Sequence, residues 1–285
     1  MLDKKENIGI VGRGFVGEAV YQGLKHYYQI DTYDKYVPDK SSCDSLRDLC
    51  MKAKILFVCI PTPMNQNGSC NIKNVESTIT AINDHASGEH IVVIKSTIPP
   101  GTTEKFNKRY DNINILFNPE FLTEANYIDD FKNQNRIIVG GQRPYTTKIK
   151  NLYEKVFGGV PIIKTSSTIA EMVKYTANCF LATKVSFANE IKQVCESVDI
   201  DYDKVIEYAT YDERLGVSHW KVPGPDGRLG FGGSCFPKDV NALIYFAKSL
   251  DIDLNVLEAA WKTNLKVRPE KDWESLKGRA VTKKE

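Results

Sequence analysis

The stretch Asn7-Ile8-Gly9-Ile10-Val11-Gly12-Arg13-Gly14-Phe15-Val16-Gly17, residues 7–17, decides the fold that we predict for the first half of the chain. Its apolar first part indicates a buried strand, and residues 18–25 indicate a helix. A G-x-G-x-x-G between a strand and a helix is the context in which these glycines point to a dinucleotide. Gly12 allows the tight turn, Gly14 lets a pyrophosphate approach the backbone, and Gly17 lets the helix pack on the strand. We therefore predict that residues 12–17, with Phe15 and Val16 between the glycines, bind a dinucleotide; glycines that serve only a turn are the alternative.

An acidic residue follows the second predicted strand. Residues 29–33 indicate that strand, and Asp34 comes directly after it. The acid lies about 20 residues beyond the glycines, which is the spacing of a carboxylate that binds a ribose 2′-hydroxyl. Because an anion at this position repels a 2′-phosphate, the sequence predicts NAD rather than NADP. A solvated strand end is the alternative for Asp34.

Polar or proline-containing segments follow two further predicted strands, at residues 54–60 and 91–95. Ligands of a doubly wound sheet bind beyond the carboxyl ends of its strands. We therefore predict that Pro61 and Thr62 after one strand, and Ser96 and Thr97 after the next, line the cofactor. A rigid turn at residues 61–63 is an alternative, and so is capping of the next helix by the two hydroxyls.

Two glutamates follow the predicted strand at residues 113–117. Glu120 and Glu124 are four residues apart, so a helical turn would place both carboxylates on one face. Like charges repel at that spacing, which favours a functional site over a solvated helix face without excluding the latter. Residues 136–141 indicate another strand, and residues 160–163 an edge strand.

A long helix is predicted from Thr168, which has capping-box spacing to Glu171, to about residue 198. An apolar stripe predicts its buried face and consists of Ile169, Val173, Phe180, Phe187, Ile191 and Val194. Lys174 and Asn178 lie one turn apart beside this stripe, so their donors could hold an oxyanion or a hydroxyl. A solvated lysine is the alternative. Further helices are predicted at residues 201–211, 240–250 and 254–267, followed by a frayed, charged end at residues 268–285.

The segment from Gly230 to Asp239, GFGGSCFPKD, predicts a reactive thiol at Cys235. The paired glycines Gly232 and Gly233 lack the β-carbons that would keep a ligand away from the backbone. Pro237 suits the first turn of a helix, so the thiol would lie at a helix N-terminus. The helix dipole and Lys238 both favour thiolate there. A buried, inert cysteine is the alternative.

Composition restricts the function further. The 285 residues carry a net charge of +2 with no basic stripe, which argues against nucleic-acid binding. No apolar stretch is long enough to cross a membrane. The seven cysteines form no C-x-x-C and the four histidines are scattered, so neither a metal site nor a disulfide framework is expected. We predict a cytoplasmic protein.

Several of these stretches together resemble the UDP-glucose dehydrogenase family, one of the nucleotide-sugar dehydrogenases, which also include GDP-mannose dehydrogenase. The matching pieces are GRGFVG at 12–17, CIPTP at 59–63, KSTIPPGT at 95–102, NPEFLTE at 118–124, Lys174 with Asn178, and GFGGSCFPKD at 230–239. The resemblance implies an α/β fold, with a Rossmann-like doubly wound parallel sheet followed by a long helix and an all-helical dimerisation domain. The expected domains are residues 1–165, which bind NAD, and residues 166–285, which bind substrate and form the dimer. The family normally continues into a further domain that binds the substrate nucleotide, so we expect a short form without it.

The resemblance also implies the reaction, in which a sugar primary alcohol is oxidised twice with two NAD molecules. Cys235 attacks the intermediate aldehyde, and the thiohemiacetal becomes a thioester that water hydrolyses. Thr97, Glu120 and Asp239 are similar to groups that position water and shuttle protons. Lys174 and Asn178 are similar to a pair that steadies the developing oxyanion.

Binding roles are implied in the same way. Lys238 and Glu124 match positions near the cofactor. Residues implied at the sugar are Glu120, Phe121, Leu122, Lys174, Asn178, Phe231, Gly232, Gly233 and Cys235. Arg214 is similar to an arginine that reaches the substrate of a neighbouring subunit, so a homodimer is expected.

We therefore expect NAD-dependent oxidation of UDP-glucose to UDP-glucuronate. Three alternatives remain at this point. GDP-mannose 6-dehydrogenase shares the cysteine motif, and hydroxyacid dehydrogenases of the 6-phosphogluconate type share the overall plan and a Lys-x-x-x-Asn pair. The third alternative is a non-catalytic NAD-binding partner subunit.

Overall fold

The computed structural model describes residues 7–283, which form two compact units. The first unit contains residues 7–62 and 72–174, and the second contains residues 63–71 and 175–283. The predicted domain boundary at residues 165 and 166 stays a prediction.

A seven-stranded sheet forms the centre of the first unit. Its strands are β1 (Asn7–Val11), β2 (Gln29–Tyr33), β3 (Ile55–Val58), β4 (His90–Ile94), β5 (Ile113–Phe117), β6 (Ile137–Gly140) and β7 (Ile162–Thr165). The spatial order is β2-β1-β3-β4-β5-β6-β7, and every neighbouring pair is parallel except β5 with β6. Because β1 lies between β2 and β3, the chain reverses its direction of winding there, and this switch point is where doubly wound sheets bind ligands.

Helices cover both faces of this sheet. They are α1 (Phe15–Leu24), α2 (Leu46–Lys52), α3 (Lys73–His85), α4 (Thr102–Arg109), α5 (Tyr127–Lys132) and α6 (Tyr145–Glu154). Leu56 and Val58 of β3 pack with α2, α3 and α4, whereas Ile55 and Phe57 pack with α1, α5 and α6. Alternate residues of a strand point to opposite faces, so the continuous apolar run of β3 supplies both cores. The predicted doubly wound sheet and its edge strand β7 are confirmed.

The predicted long helix is confirmed as α7 (Ser167–Ser197), but its predicted buried face is wrong at four of six positions, while Val173 and Ile191 are partly buried against core clusters. Ile169, Phe180, Phe187 and Val194 are 55%, 67%, 50% and 57% exposed. The buried side consists instead of small and polar residues, among them Glu171, Lys174, Tyr175, Asn178, Cys179, Ala182, Ser186, Ala188 and Asn189. Small side chains allow close helix packing, and hydrogen-bond partners satisfy the polar side chains of Glu171, Lys174, Asn178, Ser186 and Asn189. This side is therefore buried although it is the less apolar of the two.

The capping box predicted at the start of α7 is also wrong. Glu171 accepts hydrogen bonds from the backbone N–H of Gly101 (2.6 Å) and from the backbone N–H and hydroxyl of Thr103 (2.9 and 2.6 Å). The Thr168 hydroxyl donates to Glu104. Glu171 therefore joins α7 to the start of α4 within the first unit.

The second unit is helical. It contains most of α7, together with α8 (Tyr202–Ala209), α9 (Phe236–Lys248) and α10 (Asn255–Val267). One apolar cluster joins α7, α9 and α10 around Phe231, and another joins α7, α8 and the buried Trp220. Across residues 7–283, no helix combines the length and the apolar character needed to cross a membrane. The cytoplasmic location stays a prediction.

The prediction of a frayed end is wrong for residues 268–283. Arg268 is 2% exposed, Trp273 and Ala280 are buried, and Asp272–Ser275 form a 3₁₀ turn. Met64 donates its N–H to the Ala280 carbonyl and accepts from Thr282. The many charged residues of this segment led to the prediction of a solvated end. Arg268 instead forms ion pairs with Asp226 and Asp272 inside the unit.

Candidate active site

The three glycines between β1 and α1 differ in what surrounds them. Gly12 has φ +91°, and an added Cβ would lie 2.6 Å from the Cys59 carbonyl oxygen. A Cβ at Gly17 would lie 1.9 Å from the Gly12 carbonyl oxygen. Gly14, at the N-cap of α1, has no atom within 4 Å of an added Cβ. Gly12 and Gly17 are therefore required by packing, whereas the open backbone at Gly14 fits a pyrophosphate at a helix N-terminus. Phe15 and Val16 form the first turn of α1.

Asp34 is held beside this turn. One carboxylate oxygen accepts from the backbone N–H of Arg13 (2.7 Å), and the other accepts from the N–H groups of Tyr36 and Val37 (2.8 and 3.1 Å). These bonds fix the acid next to the glycines, which is where a ribose hydroxyl needs an acceptor. The glycine turn and the acid together fit a dinucleotide.

The predicted cofactor residues after β3 and β4 are joined by hydrogen bonds. The Ser96 hydroxyl accepts from the Ile60 N–H (3.0 Å), and the Thr62 hydroxyl donates to the Thr97 carbonyl (2.7 Å). Pro61 is exposed, while the other predicted residues of this edge are buried. Neither Ser96 nor Thr97 caps a helix, since the N-cap of α4 is Gly101. The Ser96 and Thr62 hydroxyls therefore join the segment that follows β3 to the segment that follows β4.

Glu120 and Lys174 form a buried ion pair in the first unit. The Lys174 ammonium donates to Glu120 Oε1 (2.8 Å) and to its carbonyl oxygen (2.6 Å), and the Leu122 N–H donates to Oε2 (2.8 Å). Burial raises the pKa of a carboxyl, but the Lys174 charge and hydrogen bond outweigh it and hold the pKa of Glu120 below its ordinary value. Phe121 lies beneath the Arg136 guanidinium, 4.3 Å from the ring centre.

The expectation that Glu120 and Glu124 share a helix face is wrong. Residues 118–123 are not helical, and Glu124 lies in an exposed turn before α5. The proline at residue 119 and the buried pairing of Glu120 keep this segment extended where it leaves β5.

A second buried lysine beside this pair was not predicted as a site residue. Lys95, at the end of β4, donates to Asn118 Oδ1 (2.8 Å), which also accepts from the Tyr153 hydroxyl (2.6 Å). The Asn118 amide donates to the Ile138 carbonyl. Burial lowers the pKa of Lys95 to about 8. This network fixes the residue two positions before Glu120, and the one sequence signal for it is a lysine at the end of an otherwise apolar strand.

In the second unit, Cys235 is the N-cap residue of α9 and Pro237 lies in the first turn, as predicted. The Cys235 carbonyl accepts from the Asp239 N–H (3.0 Å), and its sulfur lies 3.9 Å from the Ser234 hydroxyl. The thiol therefore stands where the partial positive charge of the helix N-terminus favours a thiolate.

Asp239 is buried one turn into α9 and has two partners. Its Oδ2 accepts from the Asn178 amide (2.6 Å), and its Oδ1 accepts from the Lys238 ammonium (2.5 Å). Burial lowers the pKa of Lys238, but the charge of Asp239 and the hydrogen bond to it outweigh burial and raise the pKa above its ordinary value, so the lysine stays protonated. Lys174 and Asn178, predicted as a pair, thus bind different carboxylates.

The glycines before Cys235 have separate roles. A Cβ at Gly232 would lie 2.3 Å from Asp272 Oδ1 and 2.5 Å from Arg268 Nη2, so this glycine makes room for a buried ion pair. The ligand-access explanation for Gly232 is therefore wrong. Gly233, with φ +70°, has no atom within 4 Å of an added Cβ and fits that explanation. Phe231 is buried against Phe236 and Trp261.

Arg214 lies in the exposed 3₁₀ turn Glu213–Leu215 and is paired with Asp212. Its predicted role in a neighbouring subunit stays a prediction. Arg268, Asp272 and Asn264, which hold the backbone before Cys235, were not predicted because each lies more than 30 residues along the chain from the group it holds.

The glycine turn, the acid after β2 and the reversal of strand order at β1 define a dinucleotide-binding protein. A family model described as the NAD binding domain of the UDP-glucose/GDP-mannose dehydrogenase family matches residues 40–157, and the central domain of that family matches residues 168–266. The chain belongs to the UDP-glucose/GDP-mannose dehydrogenase family, and NAD is its cofactor.

Curated relatives and solved structures agree with this family. UDP-glucose 6-dehydrogenase TuaD of Bacillus subtilis is 37% identical over 221 residues, covering 75% of this chain and 47% of the relative. UDP-glucose 6-dehydrogenase AglM of Haloferax volcanii is 33% identical over 249 residues, covering 81% and 56%. The UDP-glucose dehydrogenase structure from Pyrobaculum islandicum superimposes with a TM-score of 0.85 at 26% identity, covering 97% of this chain and 72% of that one. The chain spans about half the length of the curated relatives it matches.

Proposed function

We propose that this chain carries out the NAD-dependent oxidation of UDP-glucose to UDP-glucuronate, with Cys235 as the nucleophile of the second oxidation. The observation that carries the proposal is the position of Cys235 at the N-terminus of α9, followed by a buried Lys238–Asp239 pair. A helix N-terminus and a nearby cation both favour the nucleophilic form of a thiol, and Cys235 has the N-terminus of α9 and Lys238.

Each buried group has a chemical task in this reaction. The glycine turn at residues 12–17 and Asp34 would hold NAD, and two NAD molecules in succession would supply the oxidant by accepting one hydride each. The Cys235 sulfur forms a bond to the aldehyde carbon, the resulting thiohemiacetal loses the second hydride, and water then cleaves the C–S bond of the thioester and regenerates the thiol. Lys174 and Asn178 each carry an N–H donor of the kind that stabilises an oxyanion. Glu120 with Thr97, and Asp239, each offer oxygens of the kind that hold water and carry protons.

The yield of NADH tests this proposal. Purified protein with UDP-glucose and excess NAD is expected to form two NADH per sugar, with UDP-glucuronate as the product. Cys235→Ala should lower uronate formation by about 10³-fold or more, because the acyl intermediate is lost. The matched control is Cys195→Ala, which removes a thiol from the buried cluster around Trp220.

Four outcomes would contradict the proposal. One NADH per sugar, or unchanged uronate formation by Cys235→Ala, would exclude the cysteine route. Turnover of GDP-mannose but not of UDP-glucose would show that GDP-mannose is the substrate. Binding of NAD with no turnover of either sugar would indicate a non-catalytic subunit.

We also propose that the chain forms a homodimer through the exposed side of α7. Val173, Phe180, Phe187 and Val194 are spaced by seven residues, so they follow one side of the helix, as in a coiled-coil seam. Three of these four side chains are at least half exposed, and a stripe of large apolar residues of this kind indicates an interaction surface. A second copy of α7 presents the same spacing and is the partner that we infer.

A further inference from the structure

The backbone of residues 229–233, which leads into Cys235, is held by four polar side chains that lie far away in the sequence. Asn189 is on α7, Asn264 is on α10, and Arg268 and Asp272 follow the end of α10. All four belong to the second unit.

The two asparagines bind the first half of this segment. Asn189 Oδ1 accepts from the Gly230 N–H (3.1 Å). Asn264 Oδ1 accepts from the Phe231 N–H (2.7 Å), while its amide donates to the Phe231 carbonyl (3.0 Å). Both side chains are buried. Asn264 thus binds both the N–H and the carbonyl of Phe231, and Asn189 binds the N–H of the residue before it.

Arg268 and Asp272 bind the second half through an ion pair whose guanidinium is buried and whose carboxylate is partly buried. Asp272 Oδ2 accepts from the Gly233 N–H (3.0 Å), and its Oδ1 accepts from Arg268 Nε (2.7 Å). Arg268 also donates to Asp226 Oδ2 (2.5 Å) and to the Leu229 carbonyl (3.2 Å). A single guanidinium therefore connects the loop before Gly230 to the carboxylate that holds Gly233.

This arrangement is better suited to fixing geometry than to adding stability. A buried ion pair gains little net stability, because the cost of removing its charges from water offsets their attraction. The planar guanidinium nevertheless sets the direction of each hydrogen bond. Gly232 packs so closely on the pair that even a methyl group has no room. The turn is thus fixed on one side by the pair and open on the other at Gly233.

We propose that Arg268 and Asp272 are positioning residues that set the orientation of Cys235 at the N-terminus of α9, through the Gly233 N–H two residues before it. The catalytic meaning of this inference rests on the proposed function, in which Cys235 is the nucleophile. The geometric claim concerns the thiol alone and can be tested without substrate.

The test measures how fast iodoacetamide alkylates Cys235 between pH 5 and 10, quantified on the peptide that contains this residue. The variants are Arg268→Met, Arg268→Lys and Asp272→Asn, and the control is Lys266→Met, which removes an exposed cation from the last turn of α10, two residues before Arg268. Arg268→Met and Asp272→Asn should slow alkylation at pH 7 by about 10-fold to 100-fold, the scale of effect that a shift of about 1 Å produces. Their alkylation profiles should also move to higher pH, since the thiol leaves the helix N-terminus. Arg268→Lys should recover part of the loss, and Lys266→Met should match the unaltered protein.

Thermal unfolding distinguishes positioning from a loss of folding, and every rate is measured well below the melting temperature. Unchanged alkylation profiles in folded Arg268→Met and Asp272→Asn would overturn the inference. If Arg268→Met does not fold, the profiles of Asp272→Asn and Arg268→Lys decide. In turnover assays, positioning predicts a lower kcat with an unchanged KM for NAD. A protein with no turnover but with Arg268-dependent alkylation would contradict the proposed function and retain the positioning role.

Discussion

His90, at the start of β4, is the buried histidine of the first unit and is 1% exposed. Its Nδ1 accepts from the Ser87 N–H (3.3 Å), so Nε2 carries the proton and donates to the Cys50 carbonyl (2.9 Å). Burial lowers the pKa of this imidazole below its ordinary value. The folded protein therefore holds His90 in the neutral form.

This state predicts a pH dependence of stability. The unfolded chain protonates the histidine near pH 6.5, whereas the folded chain does so only at lower pH. The contribution of His90 is complete above about pH 6.5 and decreases as the pH falls towards the folded pKa. The free energy of unfolding, measured with urea at several pH values, should fall less steeply between pH 7 and 5.5 in His90→Gln. The exposed His85→Gln should retain the steeper slope; equal slopes in all three proteins would refute this explanation.

Individual site residues were predicted where the sequence places them next to a recognisable motif. Cys235, Lys238 and Asp239 are adjacent, and Lys174 and Asn178 share one helix. Partners of buried charges were not predicted, because they are distant in sequence. Lys174 is 54 residues from Glu120, and Asn178 is 61 residues from Asp239. Propensity and spacing describe neighbours along the chain, whereas these pairs arise only after the helices have packed.

At the scale of elements, the turn between β1 and α1 predicts opposite results for two similar substitutions. Gly17→Ala should lower the free energy of unfolding by about 1–3 kcal/mol or more, because its Cβ meets a backbone oxygen that cannot move aside. Gly14→Ala has open space and an ordinary φ of −71°, so stability should change by less than about 0.5 kcal/mol. NAD binding, measured by calorimetry, should nevertheless weaken in Gly14→Ala. Equal stabilities of the two variants would show that Gly17 is not required for packing.

The long helix shows which part of an element can be predicted from periodicity. The absence of proline and glycine predicted the extent of α7 to within a residue at each end. The apolar stripe was real, but it lies on the exposed side. The spacing of apolar residues shows which side of a helix is apolar, but it does not show what that side packs against. The buried side of α7 depends on small residues and on satisfied hydrogen bonds, neither of which contributes to an apolar pattern.

For the whole molecule, the exposed side of α7 predicts the oligomeric state. The unaltered protein should have the mass of a dimer by light scattering, and Phe180→Glu combined with Phe187→Glu should give the mass of a monomer. Both side chains are at least half exposed, so the helical content should not change. Met51→Glu introduces the same charge at an exposed apolar position on α2 and should remain a dimer. A dimeric double variant would show that another surface forms the contact.

The parallel sheet of the first unit agrees with the alternation of strands and helices in the sequence, since a parallel sheet requires crossover helices. The helical character of the second unit agrees with the helices predicted at residues 201–211, 240–250 and 254–267 and with the family resemblance. The ordered structure of residues 268–283 could not be predicted in this way. Arg268 lies 42 residues from Asp226, and only the folded unit shows that they meet. A charged segment rich in lysine resembles a solvated tail whether or not one of its charges is buried.

The pairing of Met64 with Ala280 and Thr282 makes residues 276–282 part of the folded body. Removal of residues 280–282 would break two main-chain hydrogen bonds, one from the Met64 N–H to the Ala280 carbonyl and one from the Thr282 N–H to the Met64 carbonyl. Recombinant versions of the protein should therefore retain every residue through Thr282. A version that ends earlier would remove main-chain hydrogen bonds that hold Met64 in the loop of residues 63–71.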